Sequence, residues 1–344
     1  MATIKDIAKN LGLSTSTVSR ALNGSKSISD KTKEEVNAEA KRLRFTMNSM
    51  ARSLISNKSY TIALFVDADN EQAFQNPYFY EETHGIENFV YKNGYSLLVA
   101  NVKTAQKGQD MIDFITKSKR ADGIILPSNI LTDELAKRLK EENVPFVSIG
   151  QPGSLTSSVS WIDIDNYKGA EAATLCLIKE GKKHIAFLGL NESNLFSTRR
   201  LEGYKNALSE SGIRPNVDLV VACGKTKNDG YAEMNCLLKS HPEIDGVLCG
   251  DELISVGVLK ALSETGRNVP KDVALVSFDS AQIAEISYPS ITTIDVDVFQ
   301  LGYQCARLLF DLMGNPKAKD QGILVSTGIQ YRETTLESDK ESGK

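Results

Sequence analysis

The chain has 344 residues, of which 41% are hydrophobic, and none of its apolar runs approaches the roughly 18 residues of a membrane-spanning helix. Its formal net charge is -4, yet residues 1–58 contain 11 Lys or Arg and 5 Asp or Glu, a net charge of +6, so the remainder carries -10. A module that binds phosphate groups needs such a basic segment, because positive charge attracts the phosphate backbone. The acidic remainder is repelled by that backbone. The charge therefore predicts that residues 1–58 bind nucleic acid.

The first 43 residues predict three short helices. Apolar residues at helical spacing mark a first helix before Gly12 and a second from Thr15 to Asn23, with Ser14 as its N-cap. Two helices joined by so sharp a turn form a helix-turn-helix, and a third helix follows Ser29. The residues expected to form their shared core are Ile4, Ile7, Ala8, Leu11, Val18, Ala21, Leu22, Val36, Ala40 and Leu43.

Residues 45–57, FTMNSMARSLISN, predict a further short helix that begins at an Asn48 cap. About eight residues are too few for a helix to persist alone in water, so we expect it to fold on a partner. Its apolar residues Ala51, Leu54 and Ile55 suit an opened minor groove, where apolar side chains wedge between base pairs. For residues 1–58 as a whole, the simpler alternative is a plain three-helix bundle with surface charge.

The segments TIKDIAKNLGLSTSTVSRALNG and NSMARSL resemble the LacI/GalR family of bacterial transcription regulators. The resemblance implies a helix-turn-helix DNA-binding domain at 1–58, whose second helix contacts bases in the major groove. It also implies a hinge helix at about 48–56 that inserts Leu54 into the minor groove, with double-stranded operator DNA, a sugar effector and a second copy of the chain in a homodimer as partners. The residues expected to contact DNA are Thr3, Ser14, Thr15, Ser16, Arg20, Asn23, Asn48, Ala51 and Leu54.

Two positions depart from that family. Met47 stands where many members have proline, and Ile55 stands where many carry a basic residue. The first departure weakens the signal for a helix start, and the second removes one expected contact with the groove.

Beyond residue 58, apolar runs alternate with helical stretches, which predicts βαβ units and parallel sheets in an α/β body at 59–344. The predicted strands are TIALFV, YSLLVA, GIILP, PFVSIG, HIAFLGL, VDLVVA, GVLCG, VALVSF and ITTIDV. The predicted helices lie near 80–93, 166–180, 197–211 and 251–265. Because nine or more strands exceed one comfortable open sheet, we expect two lobes that separate near Gly150 to Ser160.

The resemblance implies that these lobes form an effector-binding and dimerisation domain similar to periplasmic sugar-binding proteins. It further implies that the chain crosses between the lobes again near residues 290 and 320. The predicted boundaries are about 60–158 plus 292–322 for lobe 1 and about 162–290 plus 323–338 for lobe 2.

Ligands of parallel sheets bind beyond the carboxyl ends of the strands, so residues that follow the predicted strands are candidates. Phe79 could stack on a sugar ring or belong to the core. Arg199 and Arg200 stand in the predicted first turn of a helix, where the helix dipole disfavours a cation, so a compensating partner is expected. Asp251 is either a helix cap or a hydroxyl acceptor, and the resemblance implies pocket roles for Arg200 and Asp279. The candidate effector-binding residues are Tyr78, Phe79, Ser128, Asn129, Arg200, Asp251 and Asp279.

Enzymatic function has little support in the sequence. The histidines His84, His184 and His241 lack HExxH or carboxylate-paired spacing, and no strand is followed by a phosphate-binding glycine loop. The five cysteines contain no CxxC pair and are expected to be reduced. We therefore expect no catalysis, metal or cofactor and, because no signal peptide opens the chain, a cytoplasmic protein.

Several segments resemble maltose-responsive members of the family: NPYF, IGQPGS, RRLEGY and the stretch from Trp161 to Asn166. The predicted function is a repressor of sugar-utilisation genes that maltose or a maltodextrin releases from a pseudo-palindromic operator. A phosphosugar would need more cationic groups, for which Lys225 is the candidate. The alternatives are a global catabolite regulator with a phosphorylated carrier protein as corepressor, and a sugar-binding protein without a regulatory role.

Overall fold

The computed structural model describes residues 2–25, 27–45, 53, 56, 58–66, 77–102, 110–153, 155, 158–224, 226–278 and 282–336. Two compact units divide the chain between Ser59 and Tyr60. We name them the head and the body.

The head has the predicted helix-turn-helix and third helix. Its helices are α1 (Ile4–Leu11), α2 (Thr15–Leu22) and α3 (Asp30–Arg42). Each begins at a side-chain cap, because the hydroxyls of Thr3, Ser14 and Ser29 accept a hydrogen bond from the backbone N–H three residues later. The fully or largely buried residues of the shared core are Ile7, Ala8, Val18, Ala21, Val36 and Ala40.

The body alternates strands and helices. Its strands within the described ranges are β1 (Thr61–Val66), β2 (Ser96–Asn101), β3 (Gly123–Pro127), β4 (Phe146–Ile149), β5 (Trp161–Ile164), β6 (Ile185–Leu190), β7 (Val220–Ala222), β8 (Gly246–Cys249), β9 (Ala274–Phe278), β10 (Thr292–Asp295), β11 (Gly322–Val325) and β12 (Gly328–Gln330). Its α-helices are α4 (Pro77–Lys92), α5 (Met111–Lys117), α6 (Asp133–Glu141), α7 (Asn166–Lys179), α8 (Leu195–Glu210), α9 (Lys227–Ser240), α10 (Glu252–Glu264), α11 (Gln282–Ile286) and α12 (Val298–Gly314). Across the described residues, no helix is long and apolar enough to span a membrane, and no three His, Cys, Asp or Glu side chains form a group that could hold a metal ion.

The strands form two six-stranded sheets, and each sheet defines a lobe. Lobe 1 has the order β11-β5-β4-β3-β1-β2, with every neighbouring pair parallel. Lobe 2 has the order β12-β10-β9-β8-β6-β7, in which β12 runs antiparallel to β10 and the other pairs are parallel. The prediction of a two-lobed α/β body with parallel sheets is confirmed.

The chain crosses between the lobes after β5, after β10 and between β11 and β12. Each crossing lies one strand later than predicted, so the predicted boundaries are corrected: β5 and β11 belong to lobe 1, and β10 belongs to lobe 2. The stretch at 150–160, rich in Gly, Pro and Ser, joins two neighbouring strands of one sheet, since Ser148 pairs with Trp161. Composition marks a loop there, but only hydrogen-bond pairing decides which sheet a strand joins.

Helices α4 and α12 of lobe 1 approach each other closely enough to require glycine. A Cβ atom on Gly302 would collide with the carbonyl oxygen of Glu82, and one on Gly85 would collide with that of Phe299. Helix α12 begins directly after the second crossing, so this contact fixes where the chain re-enters lobe 1.

We expect Gly302→Ala to lower the free energy of unfolding by roughly 1–3 kcal/mol, because the added methyl group overpacks against backbone atoms that cannot move independently. Urea unfolding measures the change. Gly314→Ala is the matched control at the end of the same helix, where an added Cβ would meet no atom within 4 Å. Wild-type stability in Gly302→Ala would contradict the close packing of the two helices.

Candidate DNA-binding face and ligand cavity

Helix α2 presents a polar surface to solvent. Thr15, Ser16 and Arg20 are exposed, while Val18 and Ala21 point inward and are at most 2% exposed. This division follows from helical spacing, because residues three or four positions apart share a face. The exposed surface, which we name the α2 face, consists of Ser14, Thr15, Ser16 and Arg20.

Part of the α2 face is engaged in capping. The Ser14 hydroxyl accepts a hydrogen bond from the N–H of Thr17 at 3.1 Å and lies 2.8 Å from the Ser16 hydroxyl. The carbonyl oxygen of Arg20 accepts from the N–H of Ser25 at 3.0 Å, but its exposed guanidinium has no hydrogen-bond or ion-pair partner within the described part of the head. Its guanidinium is therefore available for a bidentate contact with an external acceptor.

Two further predicted DNA contacts also cap helices. The Thr3 hydroxyl donates to the carboxylate of Asp6 at 2.8 Å, and the Asn23 amide donates to the carbonyl oxygen of Ser19 at 2.8 Å. Both Thr3 and Asn23 are exposed. The remaining predicted DNA contacts, in the hinge segment, lie outside the described residues: Asn48, Ala51 and Leu54. The two positions that depart from the family, Met47 and Ile55, also lie outside them.

A cavity of about 540 Å³ lies between the two lobes of the body. The carboxyl ends of strands from both sheets line it, which is the position expected for the ligand of a parallel sheet. From lobe 1 its wall includes Tyr78, Ser128, Asn129, Gln151 and Asp163. From lobe 2 its wall includes Asn166, Asn191, Asn194, Phe196, Arg200, Cys223 and Asp251. Its volume falls in the range of small-molecule sites, about 300–1,000 Å³.

Arg200 is the one cation among the described residues that line this cavity, and it is 6% exposed. Its Nε donates to Oδ1 of Asn166 at 2.8 Å, and its Nη1 donates to the carbonyl oxygen of Gly250 at 2.6 Å. The guanidinium carbon lies 3.7 Å from the centre of the Phe278 ring. A buried charge is costly unless it is paired or hydrogen-bonded, and a cation over a desolvated aromatic ring is stabilised. These contacts hold Arg200 in the lobe 2 wall.

Arg200 does not lie in the first turn of its helix, so the prediction based on the helix dipole is wrong. Helix α8 begins at Leu195, two residues earlier than predicted, so Arg200 lies in its second turn. The dipole acts mainly within the first turn, and the need for partners comes instead from burial. Arg199 is exposed and forms an ion pair with Glu202 at 2.8 Å.

Asp163, at the end of β5, accepts hydrogen bonds from three donors. Its Oδ2 accepts from the N–H of Gln151 at 2.9 Å, and its Oδ1 accepts from the N–H of Ile164 at 2.7 Å and from the Asn166 amide at 3.4 Å. Burial raises the pKa of Asp163, and these donors and the charge of Arg200 oppose that rise. The carboxyl group thus sits where the loop after β4 meets the first lobe crossing.

Five of the seven predicted effector-binding residues line the cavity, namely Tyr78, Ser128, Asn129, Arg200 and Asp251. Asp251 is also a cap, because its carboxylate accepts a hydrogen bond from the N–H of Leu253 at 2.9 Å. Phe79 packs against the core of lobe 1 and is absent from the described cavity wall. Asp279 and Lys225 lie outside the described residues.

Several wall residues were not among the predicted effector-binding residues. Asn191 and Asn194 follow β6, Cys223 follows β7, and Asn166 follows β5, a strand that the apolar runs did not reveal. Phe196 stands in the first turn of α8. Inspection of every polar residue that follows a strand would have found the first three.

Cys223, a residue of the cavity wall, has negatively charged side chains near it. Burial, and then the charges of Asp229, Glu233 and Asp251, raise the pKa of Cys223 to about 12, so its thiol stays protonated. The cation of the described wall, Arg200, already donates to protein acceptors. Hydroxyl and amide groups make up much of the rest, so this wall suits a neutral ligand rich in hydroxyl groups.

Comparisons with known proteins cover both the head and the body. A family model described as bacterial regulatory proteins, lacI family, matches residues 3–48, and one described as a periplasmic binding protein-like domain matches residues 175–335. The HTH-type transcriptional regulator CelR of Thermobifida fusca is 30% identical over 333 residues, covering 96% of this chain and 98% of CelR. A solved CelR–cellobiose complex has a TM-score of 0.72 at 29% identity, covering 97% of this chain and 100% of the other. The lac repressor dimer bound to operator and the anti-inducer ONPF shares the fold, with a TM-score of 0.77 at 22% identity over 97% of this chain and 99% of the other.

A second carboxyl group, that of Glu82 on α4, lies close to Asp163. Part of the Glu82 side chain reaches solvent, but its carboxyl group is in the interior of lobe 1. Burial, and then the charge of Asp163, raise the pKa of Glu82 to about 8. Ionised Glu82 is therefore unfavourable in the folded body.

In the wild-type protein, the free energy of unfolding should fall as pH rises, because the carboxyl group of Glu82 is buried. Glu82→Gln should remove this fall. Folded Glu82 keeps its proton up to about pH 8, whereas the unfolded chain loses it near 4.5. The folded state therefore binds more protons within this window, and the free energy of unfolding falls as pH rises through it. The Tm of the variant relative to wild type should increase by roughly 2 °C or more between about pH 5 and about pH 9.

Thermal unfolding at both pH values measures this difference, and Glu81→Gln, one residue earlier and exposed, is the matched control. A Tm difference between Glu82→Gln and wild type that stays constant with pH would refute the interior location of the Glu82 carboxyl.

Proposed function

Because the chain belongs to the lacI family of bacterial regulatory proteins, we propose that it is a repressor of sugar-utilisation genes that leaves its operator when a neutral sugar fills the cavity. It is a DNA-binding transcriptional regulator, as its relatives are. The proposal adds the effector, the direction of the response and the symmetry of the operator. The observation that carries it is the interlobe cavity, whose wall carries hydroxyl, amide and carboxylate side chains and whose arginine is already hydrogen-bonded within the protein.

The α2 face supports contact with bases in the major groove. A recognition helix of a helix-turn-helix places its first residues against base edges, and Thr15 and Ser16 are exposed there. Arg20 can reach O6 and N7 of one guanine with two N–H groups. The net charge of +6 on residues 1–58 supplies attraction to phosphate groups that does not depend on sequence.

We propose that two copies bind a pseudo-palindromic operator. One head contacts too few base pairs to select a site in a genome, and a symmetric dimer doubles the contacts. The body carries exposed apolar side chains that a second subunit could cover: Tyr91 is 75%, Ile286 79% and Tyr288 95% exposed. In this dimer, Leu54 of each hinge helix enters the minor groove at the centre of the operator.

Arg20→Ala should relax base preference at one position in each half-site, since a bidentate arginine–guanine contact is worth about 1–3 kcal/mol of discrimination. Binding to a library of operator variants measures it. Arg42→Ala is the matched control, because Arg42 is held by Glu39 through two hydrogen bonds of 2.7 Å. If Arg20→Ala weakened binding equally to all variants, Arg20 would contact phosphate only.

The proposed effector is a neutral disaccharide of glucose. Maltose is the candidate that the sequence segments support, and cellobiose is the ligand of the solved CelR complex. Both offer hydroxyl groups to the amides and carboxylates of the wall, and neither brings a negative charge near Asp163 and Asp251. A sugar phosphate would bring two charges to a wall that offers it one arginine among the described residues.

A thermal-shift screen tests the effector. At about 100 times its Kd, a ligand that binds only the folded state adds about 2.7 kcal/mol of stability. We expect this from maltose or cellobiose, with a parallel loss of operator binding in fluorescence anisotropy, and no shift from ribose. A clear shift with glucose 6-phosphate alone would refute the neutral effector, and tighter operator binding with a phosphorylated carrier protein would favour the global catabolite regulator.

A further inference from the structure

A chain of hydrogen bonds joins the two walls of the cavity across the first lobe crossing. The N–H of Gln151 in lobe 1 donates to Asp163 at 2.9 Å, and Asp163 accepts from Asn166 of lobe 2 at 3.4 Å. The side-chain oxygen of Asn166 accepts from Arg200 at 2.8 Å, and Arg200 donates to the carbonyl oxygen of Gly250 at 2.6 Å. All five residues line the cavity.

Asp163 can serve this chain because its carboxylate only accepts. Its partners are all donors, namely the N–H groups of Gln151 and Ile164 and the amide nitrogen of Asn166. An ionised carboxylate satisfies several donors without presenting a donor of its own. An asparagine of the same shape would have to turn its NH₂ group toward one of these donors in either orientation.

Asn166 has one favourable orientation for a related reason. Its NH₂ group donates to Asp163 and to the carbonyl oxygen of Ile164, the latter at 3.2 Å, so its oxygen faces Arg200. Asn166 is 4% exposed, and flipping a buried amide would leave polar groups unsatisfied. Asp163 therefore fixes Asn166, and Asn166 fixes the Arg200 guanidinium.

We propose that Asp163 is a positioning residue that couples the two cavity walls, so that a ligand held by Arg200 is sensed at the first lobe crossing and at the Gln151 loop. The proposal deepens the proposed function in one respect, since the ligand it concerns is the neutral sugar. The coupling between Asp163 and Arg200 exists without a ligand and can be measured without one.

A double-mutant cycle on the ligand-free protein tests the coupling, with Asp163→Asn and Arg200→Gln as single variants. Urea unfolding gives the unfolding equilibrium constant of each. Because residues in one hydrogen-bond network are not additive, the effect of the double variant should be at least about fivefold smaller than the product of the single effects. Asn166→Ala replaces Arg200→Gln in the cycle if the latter does not fold.

The matched control is Asp297→Asn, which makes the same change at the second lobe crossing. Asp297 caps α12 by accepting from the N–H of Gln300 at 2.8 Å, is exposed, and is absent from the described cavity wall. Asparagine caps a helix about as well as aspartate, so its effect should multiply with that of Arg200→Gln. If the Asp163 cycle were also multiplicative, the coupling would be refuted.

A second measurement follows the ligand, using maltose or cellobiose at saturation. Isothermal titration calorimetry confirms that each variant is saturated with sugar. Asp163→Asn should lower the ratio of operator Kd with and without sugar by about fivefold or more. Asp297→Asn should keep the wild-type ratio, and a wild-type ratio in Asp163→Asn would overturn the proposal. If wild type bound neither sugar, the effector assignment would fail and the double-mutant cycle would still decide the role of Asp163.

Discussion

The body is organised around the need to satisfy one buried guanidinium. Arg200 is nearly inaccessible to water, and its charge is tolerable only where hydrogen-bond acceptors and an aromatic face are already in place. Asn166, Gly250 and Phe278 supply them from the start of α7, the end of β8 and the end of β9. Those three elements must therefore converge at the carboxyl ends of the lobe 2 strands, and the cavity wall is formed where they meet.

This convergence places the ligand cavity and the lobe crossing in the same few residues. Helix α7 begins directly after the first crossing, so Asn166 belongs both to the cavity wall and to the link between the lobes. A ligand that changes the contacts of Arg200 acts on a segment that determines how the two sheets are oriented. Binding can shift an equilibrium between orientations only through such differential contacts. The proposed response to sugar requires no separate sensor.

How far the sequence predicts this structure depends on burial. Strands such as β1 and β9 are buried on both faces and form continuous apolar runs, so they were predicted, whereas β5 alternates in burial and β11 and β12 are partly exposed edge strands. Lobe membership could not be predicted, because the partner of a strand is decided by pairing across many residues. The helix start removes one of the two reasons for choosing Arg200, the helix dipole, and leaves the resemblance. Asn166 was not among the candidate effector-binding residues because it follows the unrecognised β5.

In the proposed function, effector binding and operator binding are antagonistic, and calorimetric titration of the sugar with and without operator DNA tests this most directly. Linkage requires each ligand to change the affinity of the other by the same factor. We predict that operator DNA weakens sugar binding by the factor by which sugar weakens operator binding, typically about 5- to 150-fold for such coupling. An equal sugar Kd with and without operator DNA would contradict the account.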